Sequence, residues 1–192
     1  MKRNRRILPV MILIVMVLLV ALFAQNNTIT NNEQSIQPTP QIRRVFPELA
    51  VLDILALRVE DPYTGETFTI ARETDGTWIG RTTDSDGPMA LQDDAGTFLA
   101  RTTVLLGYTQ TINVEPDRNL GEFGFLPRPQ LLISVVAAND EQHIVAVGNP
   151  LQTGPYYYIA VDDRPELYIA DRAAIDNLAA TLNNPPLFTE EN

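Results

Sequence analysis

Few residues in this chain are able to do chemistry, and their neighbours decide most of the cases. His143 is the only histidine among 192 residues, and there is no cysteine. Cysteine nucleophiles, thiolate zinc sites, disulfides and multi-histidine metal centres are therefore excluded. A Ser-His-Asp triad keeps one candidate base, but no serine stands in a nucleophile elbow. Ser35 falls in a polar stretch, and Ser85 and Ser134 have no such context. In a strand over residues 142–148, His143 shares a side with Val145 and Val147, which reads as a satisfied structural histidine.

The acidic and glycine-rich motifs are weaker still. Asp84-Ser85-Asp86-Gly87 resembles a fragment of a calcium loop, but the twelfth position holds Ala95 where a bidentate Glu is needed. Asp162-Asp163 is followed by Arg164-Pro165, a hairpin turn, and adjacent strand residues point apart. Tyr156, Tyr157 and Tyr158 alternate sides, so at least one is a candidate for an exposed binding surface, against plain strand packing as the simpler reading. Gly121 and Gly124 lack the strand-to-helix setting and the Lys of a phosphate loop. No catalytic, cofactor-binding or metal-ligating residue is assigned, and no cofactor is expected.

Charge distribution says more than these motifs. Fourteen Lys and Arg face twenty-four Asp and Glu, for a formal charge of −10. Lys2, Arg3, Arg5 and Arg6 hold four of those cations, which leaves a body carrying −14. An acidic body argues against nucleic-acid binding, which needs a basic footprint. The hydrophobic content of 45% is too high for a disordered chain.

Residues 7–24 contain no charged or strongly polar side chain. As a helix they would cover roughly 27 Å, close to the ~30 Å of a bilayer's hydrocarbon layer. With the cations ahead of the span, the positive-inside rule puts residues 1–6 in the cytoplasm and the body outside. A cleaved signal peptide is the rival; its apolar region is usually shorter, and Leu22 would occupy a position that prefers a small residue. Both readings export the body. Residues 25–44, rich in Asn, Gln, Thr and Pro, read as a polar linker of disordered character.

Residues 45–192 then alternate strand-like and helix-like runs. Strands are expected over 51–59 and 66–72, from Thr77, and a helix on Leu91, Ala95, Phe98, Leu99, Thr102 and Leu106, stopped at Gly107. After a strand over 109–114 come strands over 131–138, 142–148, 156–161 and 166–170, and a helix capped by Asp171 with Ile175, Leu178, Ala179 and Leu182 on its face. Two sheet-plus-helix blocks predict one α+β domain of antiparallel strands with two main helices, read as a divergent duplication.

The order of these features resembles a bacterial domain-of-unknown-function family of membrane-anchored, extracytoplasmic proteins. The likeness lies in Trp78 after Asp75-Gly76, the helix around residues 91–106, LGEFGFLPRP at 120–129, Val147-Gly148, Gly154-Pro155-Tyr156-Tyr157 and Leu167-Tyr168-Ile169. It covers about residues 52–186; the lysine-free body, and Phe123 where Tyr is common, depart from the pattern. The resemblance implies partnership with ABC transporters of the gliding-motility kind and supplies no catalytic residues. The expected function is thus a non-catalytic, single-pass accessory or interaction subunit of a membrane complex. An exported domain binding a small ligand or a cell-envelope polymer is the alternative, and a hydrolase using two carboxylates is a third.

Overall fold

Alternation of apolar and polar residues builds most of this molecule. In the computed structural model, which describes residues 41–114 and 119–188, ten strands form one antiparallel sheet. They are β1 (Arg43–Arg44), β2 (Ile54–Glu60), β3 (Thr67–Arg72), β4 (Trp78–Thr82), β5 (Met89–Ala90), β6 (Gly107–Asn113), β7 (Leu131–Ala137), β8 (Gln142–Pro150), β9 (Tyr156–Val161) and β10 (Glu166–Asp171). Helix α1 (Ala95–Val104) follows β5, and α2 (Arg172–Asn183) follows β10. The α+β architecture expected from the sequence is present. Residues 1–40, which include the expected cytoplasmic head, the membrane span, most of the linker and Ser35, lie outside the described residues.

β7 shows why the strands form. Its sequence LLISVVA buries every second residue, so Leu131, Ile133, Val135 and Ala137 enter the core while Leu132, Ser134 and Val136 face the other way. Phe68 and Ile70 of β3, Val145 and Val147 of β8, and Ile159 and Val161 of β9 join the same buried face. Both helices bury their apolar residues there, through Leu99, Ala100 and Val104 of α1 and Ile175 and Leu178 of α2. On the opposite face, Phe123 and Phe125 from the connector before β7 pack on Leu167, Tyr158 and Ala146.

The strand order is β1-β6-β10-β9-β8-β7-β2-β3-β4-β5. Two meanders, β2 to β5 and β7 to β10, meet where β2 pairs with β7. The strand that follows α1 does not return to its own meander: β6 pairs with β10. The segment after α2 likewise crosses over, with Leu187 bridging Leu91 and the Phe188 N–H donating to the Ala90 carbonyl at 3.0 Å.

Four local expectations need correction. The strand expected from residue 51 starts at Ile54, because Val51–Asp53 form a 3-10 turn whose Asp53 carboxylate accepts from the Ala50 N–H at 2.9 Å. Arg43 and Arg44, assigned to the linker, pair with Tyr108 and Gly107. Their side chains are exposed, so hydropathy carries no trace of a pairing made by backbone alone. The expected helical face also turns: Leu99 is buried as expected, but Leu91 and Leu106 lie outside α1, Phe98 is 54% exposed, and Gly96, Ala100 and Thr103 are buried beside Leu99. Gly96 is the cause, since a bare Cα lets the helix settle onto Trp78 of β4. Gly107, expected as the helix stop, opens β6.

A Cβ at Gly96 would fall inside the Trp78 side chain, well under contact distance. Alanine favours a helix interior by about 0.8–1 kcal/mol over glycine, whereas overpacking costs about 1–3 kcal/mol. Gly96→Ala is therefore expected to lower the urea unfolding midpoint, followed by circular dichroism, despite its better helix propensity.

Candidate functional site

The sheet register brings two of the sequence candidates together. Val145 pairs with Val161, which sets Ile144 opposite Asp162 at the start of the β9–β10 turn. Asp162 adopts a left-handed backbone, φ 49°. Its Oδ1 accepts from the Ile144 N–H at 2.7 Å, and its Oδ2 lies 3.1 Å from His143 Nδ1. Residues nineteen positions apart thus form one carboxylate–imidazole pair. Asp163, the other half of the candidate acid pair, is exposed and takes no part.

His143 sits where the core face runs beyond the helices. Its ring leans on Phe46, with centroids 5.0 Å apart and planes at 42°. Phe46 and Leu49 are buried and come from the segment between β1 and β2. Together with Ala137 and Ala138 at the end of β7 they floor a cavity of about 620 Å³. Glu48, Asp53, Asn139, Glu141, His143 and Arg164 supply its polar groups. That volume suits a small ligand, as does an apolar floor with a few converging polar groups.

Several of these polar groups are already occupied. Arg164 donates from Nη1 to the Val45 carbonyl at 3.3 Å and to the Tyr168 hydroxyl at 3.4 Å. Tyr168 donates in turn to Glu166 at 2.7 Å, and burial raises the Tyr168 pKa, with Glu166 adding to the rise and Arg164 opposing it. Asn139 accepts from the Glu141 N–H at 3.2 Å, which shapes the β7–β8 turn. Glu141 Oε2 stands 3.9 Å from His143 Nε2.

The remaining candidates are structural. The Ser85 hydroxyl closes a turn with the Thr82 N–H and carbonyl, at 3.1 and 3.0 Å. Ser134 lies mid-strand between Arg58 and Ile144. Asp84 and Asp86 flank that turn, and no group of metal-ligating side chains occurs among the described residues. Gly121 belongs to a 3-10 turn capped by Asn119, and Gly124 ends it with φ 84°. All three tyrosines of β9 are half-buried, so none offers the exposed ring expected of a binding surface. Tyr158 packs edge-on against Phe123 at 5.0 Å, and Tyr157 donates to Asp176 of α2 at 3.0 Å. Burial raises the Tyr157 pKa, and Asp176 adds to the rise.

No family model, curated protein or solved structure matches the chain. The reading of the site therefore rests on its own residues.

Removing Asp162 takes an acceptor from both the Ile144 amide and the His143 ring. Asp162→Ala is expected to cost about 1–3 kcal/mol in a urea titration. Asp163→Ala, exposed beside it, should stay within about 0.5 kcal/mol of the parent.

The raised tyrosine values set an alkaline limit. Because the folded pKa lies above the ordinary 10.0, this contribution is whole below pH 10.0 and is lost as pH rises through the folded value. Tyr157→Phe is expected to make the fall of melting temperature above that pH shallower than in the parent chain.

Proposed function

We propose that the chain is a single-pass, membrane-anchored interaction subunit of a membrane complex, with its folded domain on the extracytoplasmic side. The observation that carries this reading is the order of segments: four cations, eighteen uninterrupted non-polar positions, a polar linker, then an acidic domain. Tethering raises the effective concentration of such a domain at the membrane, so that a weak contact with a neighbouring complex becomes productive. The family resemblance points to an ABC transporter as the class of complex. No helix among the described residues is long and apolar enough to cross a bilayer, so the anchor in this proposal is residues 7–24. The two four-stranded meanders, each followed by a helix, support reading the domain as a divergent duplication.

A second reading, an exported ligand-binding domain, is favoured by one observation: the cavity of about 620 Å³ beside His143. The two are compatible, since a tethered subunit is able to carry a ligand site.

Crosslinking in intact cells, followed by mild detergent extraction, is expected to recover the full chain with integral membrane proteins. A chain lacking residues 1–24 should leave the membrane fraction. Recovery of the full chain alone, or from the soluble fraction with residues 1–24 intact, would overturn the proposal.

A further inference from the structure

Two groups at the mouth of the His143 cavity, the His143 ring and the Glu141 carboxylate, stand close enough to share one donor. The Asp162 carboxylate accepts from Nδ1, so in the neutral imidazole Nδ1 carries the proton and Nε2 presents a lone pair. Glu141 Oε2 lies 3.9 Å from that nitrogen. Two acceptors at this separation do not bond each other. A single ammonium nitrogen, however, fits within about 2.8–2.9 Å of both at once.

The charges around the cavity favour the same occupant. His143 is faced by Glu141 from its own hairpin, by Asp162 and Arg164 from the β9–β10 turn, and by Glu48 and Asp53 from the segment before β2. Asp162 is held by His143 and the Ile144 amide, and Asp53 by the Ala50 amide. Arg164, the one arginine of the lining, is engaged with the Val45 carbonyl and lies over the Tyr168 ring. Glu48 is exposed and forms no ion pair among the described residues, and Glu141 is 65% exposed. The charge offered to a ligand is negative, above an apolar floor.

We propose that this cavity binds a small organic cation: a primary ammonium seated between His143 Nε2 and the Glu141 carboxylate, carried on an apolar or aromatic body that lies against Phe46 and Leu49. A neutral hydroxyl has one O–H and satisfies one of the two acceptors without compensating the carboxylate charge, and anions would meet two carboxylates at the entrance. The assignment deepens the ligand-binding reading above and does not depend on the membrane anchor.

The test uses three probes with one aromatic body and different charge: phenethylammonium, 2-phenylethanol and 3-phenylpropionate. Each is titrated calorimetrically into the full-length chain in mild detergent. Phenethylammonium is expected to bind saturably, with the neutral and anionic probes weaker by about tenfold or more. Glu141→Gln, on an exposed side chain, should weaken the ammonium probe by about tenfold and the alcohol far less, with an unchanged circular dichroism spectrum as the control for folding. His143→Gln should weaken the ammonium probe as well, under the same control. Equal or tighter binding of the alcohol or the carboxylate would overturn the cation assignment while sparing the ligand site. So would an ammonium affinity indifferent to Glu141→Gln. No saturable binding of any probe up to about 10 mM would overturn the ligand-binding reading together with the assignment.

Discussion

The antiparallel pairing of β2 with β7 is the constraint on which the rest of the domain depends. Val59 pairs with Ile133 and Leu57 with Val135 across this seam, and all four side chains are buried. Without it, each meander would present an unpaired edge at the middle of an apolar layer. With it, one buried face runs across both halves and the two helices share a single core. The cavity beside His143 lies at the end of this layer, where β7 turns into β8 and the helical cover gives way to Phe46 and Leu49.

Much of the fold was legible because burial on one face leaves a period of two. β3 and β7 follow that period closely, and the Asp171 cap is present, its carboxylate accepting from the Ala173 N–H at 2.7 Å. What could not be read was made by backbone or by register. Arg43 and Arg44 pair through main-chain groups that leave no mark on side-chain type. The face of α1 was displaced because the absent side chain of Gly96 matters more to its packing than the apolar side chain of Phe98.

The candidate site illustrates the same limit. His143 was correctly placed on the core side of its strand, with Val145 and Val147. Its partner was missed because Asp162 reaches it only through the β8–β9 register, which includes an irregularity between Val147 and Pro150. One signal was available: extending a Val145–Val161 pairing by one step sets Ile144 against Asp162. Phe46 gave no signal at all, since a lone aromatic before a 3-10 turn does not show what it will wall off.

The crossed tails of the two halves carry a consequence for how the chain reaches its native state. β6, from the first half, seals the border of the second, and Leu187, almost at the end of the described chain, seals the border of the first. Neither half is complete in isolation, because each has a border closed by a segment that leaves the other. Contacts this distant along the polypeptide slow the search for the native topology. A nascent molecule of this design keeps the border of its first half open until the segment around Leu187 has been made.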